Sequence, residues 1–239
     1  MTSQASPSLG ILNLERQLAP DAPPWPVRPG SPLNPATYGF PLILETVEGA
    51  WAESVIRGDP SLAPACVAAA KRLVERGAIV VSSNCGFFFR HQAAIAAAVD
   101  VPVVTSSLLL LPTLLRQLPD GGKLALLTAD STHFGEDLLA LEDPADRSKI
   151  VIGGIEGGEL LRNELMRPPQ ITPIPSIEKD VIGCIERLRS AHPSISAILF
   201  ECTAFPMVAP KIRQMTKLPV YDIATLVRMT LASVTRAND

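Results

Sequence analysis

The stretch Ala78-Ile79-Val80-Val81-Ser82-Ser83-Asn84-Cys85 decides the fold, because the second half of the chain repeats its pattern. It is a short apolar run that ends in a cysteine, and the proline of a Val-Pro-Val step follows 17 residues after Cys85. The run Ala-Ile-Leu-Phe-Glu-Cys at 197–202 ends at Cys202, and a Leu-Pro-Val step again places its proline 17 residues later. A strand–cysteine–helix–strand unit used twice predicts two related halves.

The chain as a whole has the pattern of an α/β protein. Strand-like apolar runs, the first at Leu9–Leu14, alternate with helical stretches, which predicts two pseudo-symmetric parallel-sheet halves with an active site in the cleft between them. The break Asp120-Gly121-Gly122 separates a first half at 1–119 from a second half at 120–221. A final helix within 222–239 has no strand after it and is expected to pack back on the first half.

Composition excludes several classes of partner. The 239 residues carry a net charge of −3 with scattered basic residues and only 5% aromatics, which argues against nucleic acid. The polar N-terminus lacks a signal peptide's pattern, and no apolar run reaches the roughly 18 residues of a membrane span, so we expect a cytoplasmic protein. In that compartment the four cysteines stay reduced, and without a C-x-x-C pair no metal site is predicted.

A proline-rich segment separates the first strand from the rest of the first half. Pro20–Pro41 holds eight prolines and is predicted to form no regular element. A segment of this kind is usually a lid, a binding loop or an interface arm, or else a stiffened surface loop. It contains Trp25, Tyr38 and Phe40, a large share of the few aromatic residues in the chain.

Both repeated cysteines lie at the carboxyl end of a predicted strand, where parallel sheets bind ligands. Cys85-Gly86 and Cys202-Thr203 each stand between a strand and a helix, a setting whose backbone N–H groups favour a thiolate. Asn84 adds an amide donor and Thr203 a hydroxyl donor. Free cysteine is also a common core residue, the role expected of Cys66 and Cys184, but the repeated setting favours a proton-transfer role for the other two.

These motifs resemble the aspartate/glutamate/hydantoin racemase superfamily. The resemblance rests on Ser82-Ser83-Asn84-Cys85-Gly86, on Glu201-Cys202-Thr203 and on the matching Pro-Val steps. The strand and turn Leu124–Thr132 is similar to the threonine-rich loop that opens the second half in that family. Together the motifs span most of the chain from about residue 9 to about residue 225, and their order and spacing are more specific than any one of them alone.

The resemblance implies a mechanism and a set of site residues. Cys85 and Cys202 would flank the α-carbon of a small carboxylate substrate, one as base and one as acid, without a cofactor. Dimers are usual among relatives, so the resemblance also implies a homodimer or a higher homo-oligomer. The residues implied in substrate binding are Asn84, Gly86, Thr203, Thr128, Ser131 and Ser106, with Ser107 beside it.

The chain departs from the amino-acid racemases of this superfamily at two places. Leu12-Asn13-Leu14-Glu15 stands where they have an Asp-Ser-Gly type of turn, and Ala204 stands where a histidine commonly follows Cys-Thr. The segment with Pro29-Gly30 and Tyr38-Gly39-Phe40 is more similar to the branch that contains algal-type dimethylsulfoniopropionate lyases. There a cysteine removes the α-proton and dimethyl sulfide leaves the β-carbon. Trp25 and Tyr38 would then hold a sulfonium cation, or else lie in the core.

Several functions therefore remain open at the level of sequence. The leading prediction is a cofactor-independent racemase or epimerase of an amino acid or related small carboxylate. A β-elimination lyase of dimethylsulfoniopropionate shares the first proton abstraction. A maleate-type cis–trans isomerase also uses two cysteines, whereas a related decarboxylase usually keeps one. A non-catalytic binding protein with two α/β halves is the alternative outside the enzymes.

Overall fold

A computed structural model of the chain describes residues 7–17 and 25–235, and two parallel sheets form its centre. The strands of the first sheet are β1 (Ser8–Asn13), β2 (Leu42–Thr46), β3 (Ala78–Ser83) and β4 (Val103–Val104). Those of the second are β5 (Lys123–Thr128), β6 (Ile150–Gly154), β7 (Ile195–Phe200) and β8 (Val220–Tyr221). The strand orders are β2-β1-β3-β4 and β6-β5-β7-β8, and all pairs are parallel. The predicted fold class is confirmed.

Helices cover both sheets. They are α1 (Pro35–Tyr38), α2 (Ala52–Arg57), α3 (Ala63–Glu75), α4 (Gln92–Ala96), α5 (Leu111–Gln117), α6 (Glu136–Leu139), α7 (Pro144–Ser148), α8 (Glu159–Glu164), α9 (Ile174–Ala191), α10 (Ala209–Thr216) and α11 (Ile223–Val234). Short 3₁₀ turns at Gly86–His91 and Phe205–Met207 follow the two cysteine positions. Because each turn begins within a few residues of its strand, each thiol is held in a short, constrained loop.

The two sheets match in detail. In the first sheet the register of β1 against β3 shifts between Ser8 and Leu9, and in the second the register of β5 against β7 shifts between Lys123 and Leu124. The central strands are almost fully buried, as expected of parallel strands that helices cover on both faces. The internal repeat predicted from the sequence thus extends to strand order and register.

The last helix, α11, contacts α1 and β3, both from the first half of the chain. Ile223, Ala224 and Val227 on this helix are buried in the core that the first sheet shares. The division into domains at 119/120 and 221/222 stays a prediction, although each sheet takes all of its strands from one half.

The proline-rich segment is the part where expectation and structure differ most. Its residues 20–24 lie outside the described ranges, and the remainder contains the single turn α1 where no regular element was predicted. Asn34 caps this turn, Pro35 supplies a preset φ at its first position, and Gly39 ends it at φ 67°. The edge strand β2, directly after the segment, was not predicted, because its apolar run is only three residues long and ends in Glu45 and Thr46.

Within the described ranges, no helix has both the length and the apolar character that a membrane span requires.

Two glycines test the packing of this fold in opposite directions. A Cβ at Gly10 in β1 would lie 2.9 Å from Ala78 Cβ and 3.1 Å from Leu73, so Gly10→Ala should lower the free energy of unfolding by about 1–3 kcal/mol. In α9, a Cβ at Gly183 meets only the flexible Arg187 side chain, at 3.6 Å, so Gly183→Ala should raise it by about 1 kcal/mol. Urea unfolding measures both, and equal effects of one sign would contradict the packing described.

Candidate active site

Both repeated cysteines line one cavity of about 330 Å³. Cys85 follows β3 and Cys202 follows β7, so the two thiols come from the central strands of different sheets. Both are free and half-buried, whereas Cys66 and Cys184 are free and fully buried in the core. The structure therefore brings together the two thiols that the repeat singled out and keeps the other two apart from the cavity.

The loops that carry the two thiols are joined directly. Thr203 Oγ1 donates a hydrogen bond of 2.5 Å to the backbone carbonyl of Asn84, and Ser107 Oγ donates one of 2.6 Å to the carbonyl of Phe200. Gly86 lies flat against Glu201, since a Cβ at that position would be 2.3 Å from both its Oε1 and its backbone oxygen. We call these three contacts the seam. The Thr203 and Gly86 contacts join the two cysteine loops, and the Ser107 bond joins the segment after β4 to the end of β7.

A buried carboxyl group lies within the seam. Glu201 is 0% exposed, and Thr128 Oγ1 donates a 2.8 Å hydrogen bond to its Oε2. Its Oε1 has no hydrogen-bond partner in the part of the chain that the structure describes. Burial raises the pKa of Glu201 to about 7, although the Thr128 hydrogen bond and the charge of Arg90 act in the other direction. This carboxyl group therefore changes its charge near neutral pH.

The same burial acts on the thiols. Desolvation raises the pKa of Cys85 and of Cys202 well above the ordinary thiol range, and the negative charge of Glu201 raises both further. Backbone N–H groups of Phe87 and Ala204 lower them by a smaller amount. The predicted activation by the N–H groups after each cysteine is thus present but outweighed. A thiolate in this site requires a nearby positive charge or the loss of the charge on Glu201.

Arg16 supplies a positive charge at the cavity wall. Its side chain is 12% exposed, its Nη2 lies 3.1 Å from Glu164 Oε2, and its charge lowers the pKa of Cys85. Its guanidinium carbon lies 4.1 Å from the centre of the Trp25 ring. Among the described residues, nothing accepts a hydrogen bond from its buried Nε or Nη1. A guanidinium with unused donors beside a cavity is suited to binding an anion.

Three of the predicted substrate-binding residues line the cavity, but two already use their polar side chains. The Asn84 side chain accepts a 3.0 Å hydrogen bond from the Leu14 N–H and donates to the Asn13 side chain. The Thr203 hydroxyl is engaged in the seam, and Gly86 contributes only backbone. The backbone N–H of Asn84 is also engaged, because it donates a 3.0 Å hydrogen bond to the carbonyl of Leu12. These residues shape the site and join its two loops.

The other four predicted binding residues do not line the cavity. Thr128 is fully buried and binds Glu201, and Ser106 caps the 3₁₀ turn Ser107–Leu110. The backbone N–H of Ser131 donates to the Glu156 side chain. Tyr38 is 7% exposed within the core, with its hydroxyl unpartnered among the described residues. Of the two aromatic candidates, only Trp25 lines the cavity, with Arg16 stacked on its ring.

Sequence reasoning missed Glu201 and Arg16 as functional candidates. Glu201 stands in the quoted motif directly before Cys202, and a charged residue that ends a buried apolar strand is a signal of a functional carboxyl group. Arg16 follows the first strand by three residues, the position at which parallel strands present ligand-binding groups.

Comparison with curated proteins gives the family. No protein-family model matches the chain. It is 31% identical over 228 residues to a dimethylsulfoniopropionate lyase of Durusdinium sp. clade D, over 90% of this chain and 71% of that protein. The chain belongs to the dimethylsulfoniopropionate lyase family. Dimethylsulfoniopropionate lyases 7 and 5 of Emiliania huxleyi are 28% and 24% identical over 95% of this chain, which spans 67% and 45% of their lengths.

Solved structures show the fold that this lyase family member shares. A glutamate racemase of Francisella tularensis subsp. tularensis in complex with D-glutamate aligns with a TM-score of 0.56 and 13% identity, over 95% of this chain and 80% of that one. An unliganded arylmalonate decarboxylase aligns with a TM-score of 0.53 and 17% identity, over 98% and 95%. The predicted racemase-type fold and the predicted dimethylsulfoniopropionate lyase branch are confirmed. The curated relatives are lyases, which supports the prediction that the chain is an enzyme.

The raised pKa of Glu201 predicts how stability depends on pH. The folded protein keeps this proton until about pH 7, whereas the unfolded chain releases it near the ordinary value of 4.5, so raising the pH between these values favours unfolding. The stabilisation is complete below about 4.5 and is lost as pH rises through about 7. The loss amounts to roughly 3 kcal/mol, at about 1.4 kcal/mol per pKa unit.

Urea unfolding at a series of pH values tests this directly. Glu201→Gln should flatten the decline, since the amide is neutral throughout. Glu136→Gln is the matched control, because the Glu136 side chain is 74% exposed, and its profile should follow that of the wild type. Parallel profiles for Glu201→Gln and the wild type would show that Glu201 is not the titrating group.

Proposed function

We propose that this chain is a cofactor-independent lyase that removes the α-proton of dimethylsulfoniopropionate, or of a closely related carboxylate, and expels dimethyl sulfide. The observation that carries the proposal is the shared cavity. Two free thiols from two strand ends line it, in a chain that belongs to the dimethylsulfoniopropionate lyase family. Cysteines that serve only in packing are expected in the core, where Cys66 and Cys184 lie, and not at the wall of a cavity.

The reaction needs one thiolate as base. The thiolate takes the proton from the carbon next to the carboxylate, the electron pair of that C–H bond forms the C=C bond, and the C–S bond breaks with its electrons going to sulfur. Dimethyl sulfide and acrylate leave, and the proton stays on the cysteine until solvent removes it. The backbone N–H groups of Phe87 and Ala204 stabilise the thiolate of Cys85 or Cys202.

Arg16 is the proposed partner of the substrate carboxylate. Its unused N–H donors and its charge near Cys85 hold the carboxylate beside the base and stabilise the negative charge that grows on it as the proton leaves. The same charge favours the thiolate of Cys85. Leu160, Ala204 and Met207 add an apolar wall, which suits the methyl groups on sulfur.

Racemisation of a small carboxylate is the second candidate, because both thiols line the cavity. Elimination uses one base, whereas racemisation needs a base on one face of the carbon and an acid on the other. Cys85 and Cys202 supply the two thiols, one base and one acid, that this reaction needs in one cavity. The racemase-type fold alone does not separate the two reactions, since lyases and racemases both occur among the relatives.

Cysteine variants separate these reactions. Proton NMR in D2O with dimethylsulfoniopropionate should show acrylate forming with the wild type, and a drop of roughly 10²- to 10⁴-fold when the base is replaced by serine. Under elimination, one of Cys85→Ser and Cys202→Ser should lose far more activity than the other. Under racemisation of aspartate, glutamate or a hydantoin, both should lose it, with α-deuteration and the opposite enantiomer as products.

Cys184→Ser is the matched control, because Cys184 is a buried thiol outside the cavity. Its activity should equal that of the wild type. Full activity in both Cys85→Ser and Cys202→Ser would contradict the thiol mechanism. The absence of any reaction with these substrates, and with maleate, would instead favour a binding protein.

The proposed role of Arg16 predicts a binding defect. Arg16→Met should raise KM for dimethylsulfoniopropionate by roughly ten- to a hundredfold, the loss of one charge-assisted contact, with a smaller fall in kcat. Because this change leaves Glu164 unpaired in the cavity wall, the double variant Arg16→Met/Glu164→Gln separates the lost contact from the added repulsion. Steady-state kinetics at one pH measures both.

Arg162→Met is the control for the change in net charge. This arginine binds the exposed carbonyl of Gly157 and does not line the cavity, so its KM should equal that of the wild type. An unchanged KM in Arg16→Met would exclude Arg16 as the carboxylate partner.

A further inference from the structure

The carboxyl group of Glu201 has no task in the reaction described above, yet it lies in the seam between the two thiols. It is fully buried, it lines the cavity, and it presses on the backbone of Gly86 from the opposite loop. One oxygen accepts a hydrogen bond from Thr128 and the other has no partner among the described residues. A buried carboxylate with one neutral donor is poorly stabilised. The entry of a second anion would destabilise its ionised form further.

We propose that Glu201 takes up one proton from solvent when a carboxylate ligand enters the cavity, and so serves as a positioning residue that keeps the cysteine pair competent. This inference rests on the proposed function, because it assumes that the cavity receives a carboxylate. It adds that the negative charge of the arriving carboxylate is offset by the loss of one negative charge at Glu201.

The charged groups around Glu201 support this assignment. Those that act on it or line its cavity are the thiols of Cys85 and Cys202, the carboxylate of Glu164, and the guanidinium groups of Arg16, Arg28 and Arg90. Three of these six are not free to pair with Glu201. Glu164 takes one side of Arg16 and the proposed function gives its two unused donors to the substrate carboxylate. Asp137 holds Arg90, and the Arg28 side chain donates to the Thr172 carbonyl. The negative charge of Glu201 is therefore neutralised by protonation and not by an ion pair.

Protonation of Glu201 also removes an obstacle at the thiols. Its negative charge raises the pKa of both cysteines, so the same site cannot easily hold a carboxylate ligand, a thiolate and an ionised Glu201 together. When Glu201 is neutral, its charge no longer opposes the formation of one thiolate in the presence of the bound substrate. The pKa of Glu201 near 7 means that the proton is gained or lost at little cost around neutral pH.

Propionate is the probe for this coupling, because it carries the carboxylate, has no leaving group and is fully ionised around neutral pH. If ligand binding requires protonated Glu201, the dissociation constant should rise about tenfold per pH unit above the pKa of the free protein. Calorimetry in two buffers of different ionisation heat should show uptake approaching about one proton per propionate in the same range. Glu201→Gln should bind propionate with neither dependence.

Two further variants keep the test decisive. Thr128→Val removes the donor that stabilises the charged form, so the pH at which affinity begins to fall should move upward even if Glu201→Gln fails to fold. Glu136→Gln, at the exposed surface, should keep the behaviour of the wild type. In each variant, circular dichroism confirms the fold before binding is measured.

The outcomes separate this inference from the proposed function. Propionate affinity that is independent of pH, or a Glu201→Gln protein that keeps the pH dependence, would overturn the role of Glu201 while cleavage of dimethylsulfoniopropionate could still stand. No propionate binding at any pH would overturn both, because the cavity would then not be a carboxylate site.

Discussion

The hydrogen bond from the Thr203 hydroxyl to the Asn84 carbonyl, with the close packing of Gly86 on Glu201, is the constraint on which the site depends. Each sheet is a complete unit with its own strand order, and neither contains a site by itself. The site exists only because the carboxyl ends of β3 and β7 meet. The main role of the polar residues around the cysteines is therefore to join the two repeated units.

Joining the units in this way places negative charge and thiols in the same dry space. Burial makes every anion in the site costly, and the carboxyl group of Glu201 adds to the cost of a thiolate at Cys85 or Cys202. Arg16 is the compensating charge at the cavity wall, and it is already shared with Glu164. The reactivity of the cysteines is thus set by the number of charges in the cavity more than by the helix termini behind them.

The repeat could be predicted from the sequence, because β3 and β7 each contain a buried apolar run and are each followed two residues later by a cysteine. Such a pattern is local to the sequence. The sequence did not predict β2, whose residues Leu42–Thr46 are half-buried or exposed at a sheet edge. Nor did it show that Thr128 would donate a hydrogen bond to Glu201, or decide between the cavity and the core for Tyr38. Those outcomes depend on contacts between distant parts of the chain, which neither spacing nor periodicity encodes.

The contact of Gly86 with Glu201 has a consequence for how such a chain can evolve. Residues in separate halves of a chain usually change independently of each other. Here any side chain at Gly86 collides with Glu201, a buried residue of the other half, so a change on one side alters which changes the other side tolerates. The two loops are epistatic, and new specificities in this scaffold should arise in paired steps or at the Trp25 side of the cavity wall, away from this contact.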